Sequence, residues 1–454
     1  MTARVVIVGA GPAGIRAAEA LVGAGLHPVV LDEGERAGGQ IYRRPPAGFT
    51  RSPAKLYGSE AGRAVALHRL FDRMAADGRL THRPRTSAIA VRTNTAGGTL
   101  QLHGPDGVGE VGFDRLIVAT GASDRVLPVL GWEAPGVYSL GAAQIALKAQ
   151  GVALGRRIVL AGSGPLLTLV ASQLVKAGAE VAAVLDTSPL ATQLSGLREM
   201  AARPGLTARG AAMRLRLGRR YHAGATLDEI VASPEGPVAM LWRDAKGRPQ
   251  RTTCDAVALG WHLRAETHLA ELAGCGFDYS DTWAQWLPRA DPQGRAEDRL
   301  YLAGDGLRLL GADGAELSGR LAGLACLADL GLPAADPAPD LKRLARMLRF
   351  ARGLAHAFPW PAAALRALPD ATCLCRCEAI TAGALREAAD YGGAEANRAK
   401  SLSRVGMGRC QGRYCALAAA EIVASHAGTA VPEVGRLRAQ APVRPCPIGA
   451  AAQD

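Results

Sequence analysis

Cysteine is absent from the first 253 residues. No C-x-x-C or C-x4-C pair can form there, which excludes an N-terminal redox disulfide in its usual forms. Aromatic residues make up only 4% of the chain, and no block of Lys or Arg is interleaved with them. The net charge of +12 therefore does not mark a nucleic-acid surface; scattered arginines suit nucleotide phosphates or an acidic partner better. Neither H-E-x-x-H nor G-x-S-x-G occurs, so hydrolytic chemistry has no support. Charge is also missing from Ile158 to Val175, about the minimum length for a membrane span. Gly162-Ser163-Gly164-Pro165 interrupts that run near its start, so a buried strand–turn–helix unit is expected instead. Met1 leads almost directly into the strand-like Val5–Val8, so no signal peptide is expected.

Glycine is plentiful, at 55 residues, as in an α/β protein with many tight turns between strands and helices. A chain of 454 residues is expected to form two or three domains. Val5–Val8, the glycine-rich turn, Ile15–Val22 and Val29–Leu31 read as strand, turn, helix and strand. Within the turn, Gly9, Gly11 and Gly14 form a GxGxxG with Pro12 and Ala13 between them. The first glycine permits the tight turn, the second lets backbone approach a pyrophosphate, and the third lets helix and strand pack closely. The N–H groups of the helix start then face the phosphates. Asp32 ends the second strand, eighteen residues after Gly14, where a carboxylate can accept both ribose hydroxyls; Glu33 is the near alternative. Residues 57–82 read as helical, with Leu67, Leu70, Phe71 and Met74 at helical spacing, and Ile89–Val111 alternates like a meander of short strands.

Three later turns carry a resemblance. Gly38-Gly39-Gln40, Ala119-Thr120-Gly121 and Ala303-Gly304-Asp305 follow in order, and with the first turn they resemble the two-dinucleotide-binding flavoproteins of the glutathione-reductase class. That resemblance implies FAD, with Gly39 and Gln40 at the flavin-contacting turn and Thr120 and Gly121 at the strand-to-crossover signature. It also places Gly304 and Asp305 at the second flavin motif, where Asp305 accepts a hydrogen bond from the ribityl chain. A helix beginning near Gly311 would aim its positive end at the pyrimidine edge of the flavin and stabilise the anionic reduced form.

A second strand–turn–helix–strand unit spans Arg157–Leu185, but Leu167 stands where the third glycine of its fingerprint belongs. Asp186 ends the following strand and would repel a 2′-phosphate. NAD or another adenine nucleotide at this second site is the lesser expectation, and a vestigial or empty fold the greater.

Six of the nine cysteines lie beyond residue 370. Cys373-Leu374-Cys375-Arg376-Cys377-Glu378 is followed by Gly406-Met407-Gly408-Arg409-Cys410-Gln411-Gly412-Arg413-Tyr414-Cys415. C-x-C with C-x4-C is a poor match to the C-x2-C knuckles of structural zinc, and four thiolates also suit iron–sulfur. Glycines 406, 408 and 412 would let backbone N–H groups approach sulfur. A helix from Gln411 to Ser425 would place Cys415 in its first turn, and Thr381 would cap a helix ending at Gly392-Gly393. The segment resembles the bacterioferritin-associated-ferredoxin-like [2Fe–2S] domain, which implies Cys375, Cys377, Cys410 and Cys415 as ligands, with Cys373 a possible exchange for one of them. Cys254, Cys275, Cys326 and Cys446 read as small structural apolar residues.

The order of these units, with Pro128…Gly131-Trp132…Pro135-Gly136-Val137, Gly164-Pro165-Leu166-Leu167 and the Arg/Pro-rich tail through Pro445, resembles the α or A subunits of opine oxidases, D-hydroxyproline and L-proline dehydrogenases, and hydrogen cyanide synthase. Trp261-His262-Leu263 departs from that family, whose members tend to carry a Tyr-Gly pair there. The expected organisation is an FAD-binding domain in two parts, 1–122 and 255–332, around an NAD-binding-like domain at 123–254. A linker and helical region (333–371), a [2Fe–2S] domain (372–430) and a tail (431–454) follow. The resemblance implies an electron-transfer subunit without a catalytic base of its own. Its partners would be a flavin-containing β subunit with the substrate site, a respiratory or dye acceptor and, as a further candidate, a small ferredoxin-like subunit. The expected location is cytoplasmic, with attachment at the inner membrane only through partners. A self-contained NAD(P)H:acceptor oxidoreductase and a redox-sensing binding protein are the alternatives.

Overall fold

The structure is a computed structural model describing residues 3–46, 48–49 and 51–447; the last residues of the expected tail, 448–454, lie outside it. Val5–Val8, buried at all four positions, lies within a six-stranded sheet. The order is Arg295–Glu297, Leu300–Leu302, Arg115–Val118, Val5–Val8, Val29–Leu31 and Thr81–Arg83, parallel except for the first strand. Inner strands of such a sheet are covered on both faces and so must be apolar throughout. On one face Val5 and Ile7 pack under the helices Pro12–Gly23, Ala61–Ala76 and Gly311–Asp329. On the other, Val6 and Val8 meet the meander Ser87–Asn94, Gly97–Gly104 and Gly107–Phe113.

The second unit repeats this plan. Tyr221–Ala223, Glu180–Asp186, Arg157–Ser163, Ala256–Trp261 and Val137–Ser139 form an all-parallel sheet. The uncharged run 158–175 is, as expected, a strand, a turn and the helix Pro165–Lys176, and no described helix is long and apolar enough to cross a membrane. The expected boundary at residue 255 is displaced. Ala256–Trp261, buried at every position, pairs with Arg157–Ser163 and fills the second sheet, so the chain returns to the first domain after Trp261. There Leu263–Ala265 pairs antiparallel with Ala122–Asp124, the crossing point of the two domains.

Beyond residue 333 a long helix, Ala338–Ala357, precedes the cysteine module. The module contains the hairpin Cys373–Cys375/Ile380–Thr381 and helices Ala382–Gly392, Ala396–Ser403 and Ala416–Ala427. Its apolar core runs on without a break into that of the second domain, from Leu374, Leu385 and Ile422 to Trp132, Ile230 and Trp242. Thr381 Oγ1 caps its helix by accepting from Ala384 N at 3.2 Å. The helix expected from Gln411 instead begins at Ala416, because Gln411 and Gly412 both take left-handed φ (53° and 75°). Cys415 is therefore its N-cap.

Candidate functional site

The first turn starts where Val5–Val8 ends. A Cβ on Gly9 (φ 110°) would lie 2.3 Å from the Ala119 carbonyl oxygen, and one on Gly14 would lie 1.8 Å from that of Gly9; neither position can carry a side chain. Gly11 differs, since a Cβ there would come no nearer than 3.7 Å to the Cα of Gly39. Packing within the protein does not demand a glycine at 11, whereas a ligand passing over the turn would. Pro12 and Ala13 open the helix, and Gly11 as N-cap supplies no side-chain hydrogen bond, so the N–H groups of its first turn keep their pull on an anion.

Asp32 Oδ2 accepts from Ala10 N at 2.5 Å and Oδ1 from Gly34 N at 2.6 Å. These bonds fix the carboxylate at the turn's rim, and burial nonetheless pushes its pKa up. Glu33 instead pairs with Arg444 of the tail. The Gly38–Gly39 segment closes over the turn, with Gly38 N donating to Ala10 O at 2.8 Å; Gln40 Oε1 accepts from Arg43 at 2.8 Å. Thr120 Oγ1 donates to Glu266 O at 2.7 Å, and Gly121 O accepts from Glu266 N at 3.0 Å. Gly304 N donates to Ser318 Oγ at 3.0 Å. Asp305 Oδ1 accepts from Leu310 N (2.9 Å) and Gly311 N (3.1 Å), anchoring the start of the helix Gly311–Asp329. Gly9–Gly14, Asp32 and Gly38–Gly39 thus meet at the first turn, Thr120 and Gly121 lie at the crossover, and Gly304, Asp305 and Gly311 lead into this helix, whereas Glu33 and Gln40 are engaged by Arg444 and Arg43.

The second turn is built otherwise. Asp186 is fully buried, and its oxygens accept from Ser163 Oγ (3.1 Å), Ser188 N (2.9 Å) and Tyr221 OH (2.5 Å). Burial pushes its carboxyl up to about 6. Leu167 has no exposure at all and packs in the core of this domain.

The four C-terminal thiols converge. Cys375 neighbours Cys415 and Cys377 neighbours Cys410, and Cys375, Cys377 and Cys410 all act on the Cys415 thiol. Hydrogen bonding to Cys415, opposed by burial and helped by the N–H groups of Gly406, Glu378 and Cys377, draws the Cys375 thiol down to about 6. Cys415 is driven well up by that same pairing and by burial. Gly408 is required for this approach, because a Cβ there would lie 2.2 Å from Cys377 Cβ. Cys373 stands outside both pairs, its thiol raised to about 11 by burial and its carbonyl accepting from Trp132 Nε1 at 2.5 Å. Among the described residues no group of three or more His, Cys, Asp or Glu is gathered around one point for a single metal ion. Two thiol pairs are a different donor set, and the rim is asymmetric: Cys375 and Cys415 are buried while Cys377 is exposed.

Sequence reasoning missed the connection between these cysteines and the Thr120–Gly121 crossover. Arg413, inside the Cys410–Cys415 loop, holds Glu266 through Nε (2.5 Å) and Nη2 (3.1 Å). Burial would raise the Glu266 carboxyl, but Arg413, with His268 and Arg444, holds it down at about 2. Arg264 Nη1 donates to the carbonyls of Gly412 (3.0 Å) and Arg413 (2.9 Å), which sets a half-buried positive charge against the loop. The ion pair joins residues 147 positions apart, so no local pattern announces it. Lys148 was also missed. It lies in a π-turn, Ala146–Gln150, donates to Ile41 O at 3.0 Å beside the Gly39-Gln40 turn, and burial lowers its ammonium to about 8.

Comparison with known proteins agrees with this geometry. Residues 3–307 match the model of the pyridine nucleotide-disulphide oxidoreductases, and residues 373–454 match the sarcosine oxidase A3 domain. Among opine oxidase A subunits, that of Agrobacterium tumefaciens is 37% identical over 97% of this chain and 89% of its own length. Its counterpart in Rhizobium meliloti is 35% identical over 99% and 87%. Hydrogen cyanide synthase subunit HcnB of Pseudomonas aeruginosa is 31% identical over 99% and 98%. Among solved structures, L-proline dehydrogenase from P. horikoshii superposes with a TM-score of 0.74 at 19% identity, covering 100% of this chain and 80% of that one. Thioredoxin reductase from T. acidophilum gives 0.53 at 19%, covering 72% and 99%; both likenesses speak to the fold. The chain is an oxidoreductase of the pyridine nucleotide-disulphide oxidoreductase family and belongs within it to the group of the opine oxidase A subunits.

Proposed function

We propose that this chain is the FAD- and [2Fe–2S]-containing electron-transfer subunit of a multi-subunit amine or amino-acid dehydrogenase of the opine, hydroxyproline, proline or glycine type. The observation that carries the reading is the convergence of two thiol pairs on a loop tied by Arg413–Glu266 to the Thr120–Gly121 crossover. A two-iron centre takes two thiolates per iron, which suits two pairs better than a single tetrahedral ion would. When bound, FAD accepts electrons in pairs and releases them singly, and a [2Fe–2S] cluster carries one at a time.

The chain's own residues bind and orient. The Gly9–Gly14 turn and its helix start would hold the pyrophosphate, Asp32 the ribose and Asp305 the ribityl chain, with Gly39, Gln40, Thr120, Gly121 and Gly311 lining the path. Cys375, Cys377, Cys410 and Cys415 would hold the cluster. Arg264 offsets thiolate charge from beneath, and N–H groups directed at Cys375 do so from the side. The substrate site and its base would belong to a flavin-containing β subunit, with a respiratory or dye acceptor downstream.

Co-expression with the proposed flavin-containing β subunit tests this reading. The complex should reduce an artificial dye with an amino acid or opine, and the isolated chain should not. Cys410→Ser should keep the assembly and abolish dye reduction. Amine oxidation by the isolated chain at the full rate of the complex would end the proposal.

A further inference from the structure

His262 follows the buried strand Ala256–Trp261 and takes a left-handed φ of 61°, a conformation that suits glycine and strains a residue with a Cβ. Its ring lies on Gly164, the second glycine of the second fingerprint. A Cβ built on Gly164 would fall 2.9 Å from Cε1, 2.9 Å from Nε2 and 3.0 Å from Cδ2 of that ring. In a nucleotide-binding turn this is the space a pyrophosphate needs, because the second glycine is bare so that backbone and phosphate can meet. The ring's Nε2, on the side of Gly164, is buried and has no hydrogen-bond partner among the described residues; the ring's one hydrogen-bonding neighbour is the backbone of Phe358.

A second layer covers the ring. Phe358, at the end of the long helix Ala338–Ala357, lies 6.0 Å from the imidazole at an interplanar angle of 60°. Two residues on, Trp360 stacks on the guanidinium of Arg125 at 3.7 Å. Arg125 is itself fixed by the carbonyls of Trp283 (2.8 Å) and Ala284 (2.7 Å) and accepts at its own carbonyl from Trp261 N at 2.7 Å. The helix reaches this point by close contact with the same domain, for a Cβ on Gly196 would lie 2.0 Å from Gly353 O. Asp186, which would hold a ribose, is already occupied by three donors.

We propose that the ligand crevice of the second nucleotide fold is filled by the chain itself: the His262 ring occupies the pyrophosphate's place over Gly164, and the Phe358–Trp360 segment seals it. His262 is thus a specificity-determining residue that removes pyridine nucleotide from this fold, and NAD(P)H is no electron donor to this chain.

Titration calorimetry of the full chain with ADP and with NADH, alongside His262→Gly and Phe358→Ala, tests this directly. Wild type should bind neither ligand at millimolar concentration, and NADH should not bleach its flavin. His262→Gly should gain ADP affinity at least tenfold and melt no lower than wild type, since glycine accepts the left-handed φ; Phe358→Ala should gain less. Micromolar binding by wild type, lost in His262→Gly, would make the ring a phosphate ligand and overturn the proposal. Equal affinity in wild type and His262→Gly, or no gain in either variant, would overturn it too.

Discussion

The two nucleotide turns of this chain have the same plan and opposite interiors. Over Gly11 the nearest atom to a built Cβ is backbone at 3.7 Å; over Gly164 it is an imidazole at 2.9 Å. Asp32 is held by two backbone N–H groups at the rim, while Asp186 is buried and consumed by Ser163, Ser188 and Tyr221. The tail and the cysteine module also favour the first domain electrostatically: Arg444 pairs with Glu33, and Arg413 with Glu266. The difference teaches that a duplicated fold can keep its backbone signature after its ligand space has been given to side chains. A fingerprint read from glycines reports the turn, and the atoms over the second glycine report whether the turn is open.

The largest expected effect lies at the cysteine end. Cys415→Ser should cost the chain its iron outright while FAD stays bound, as read by metal analysis and visible absorbance; equal iron in the variant would remove Cys415 from the ligand set. Next comes the ion pair linking that end to the Thr120–Gly121 crossover. Glu266→Ala leaves Arg413 buried without its carboxylate, and breaking a buried pair one-sidedly costs about 3–5 kcal/mol, visible as a lower denaturation midpoint. A midpoint shift equivalent to less than about 1 kcal/mol would mean that the pair carries little of the link.

The turns themselves separate at smaller cost. Gly11→Ala should fold normally and lose FAD affinity. Gly164→Ala, with its φ of 98° and the His262 ring in its path, should lose roughly 1–3 kcal/mol of stability with FAD unaffected. The reverse pattern would exchange the roles assigned to the two turns. A pH dependence follows from His262, whose imidazole is lowered to about 4 by burial and then by Arg125. The unfolded ring, near 6.5, binds its proton first as pH falls. Stability should therefore drop from about pH 6.5 down to about 4, by up to about 3 kcal/mol, and His262→Gly should lack that part of the drop in acid unfolding curves.

Much of this was legible in sequence because it is local. Gly9, Gly11, Gly14 and Asp32 lie within one strand–turn–helix–strand unit, and spacing alone places them. Thr381 as a cap and the meander near residue 89 are equally short-range. What sequence hid was set by partners far along the chain. The extent of the second sheet depends on Ala256–Trp261 pairing with Arg157–Ser163, which moved the domain boundary past 255. The late start of the helix after Cys415 depends on the backbone sign at Gln411, invisible in an otherwise helix-forming run. Leu167 in place of glycine hinted that the second turn had changed, and the departure at Trp261-His262 lay far from it along the chain. Only the fold brings His262 onto Gly164.

The central claim, that this chain carries a flavin and a two-iron centre on its four paired cysteines, is tested most directly by assay of the purified chain. Iron, acid-labile sulfide and zinc would be quantified together, with electron paramagnetic resonance after dithionite reduction. The account predicts about two iron and two sulfide per FAD, and a reduced-cluster signal that disappears in Cys410→Ser. One zinc without sulfide, or full flavin with neither metal nor signal under anaerobic purification, would contradict it.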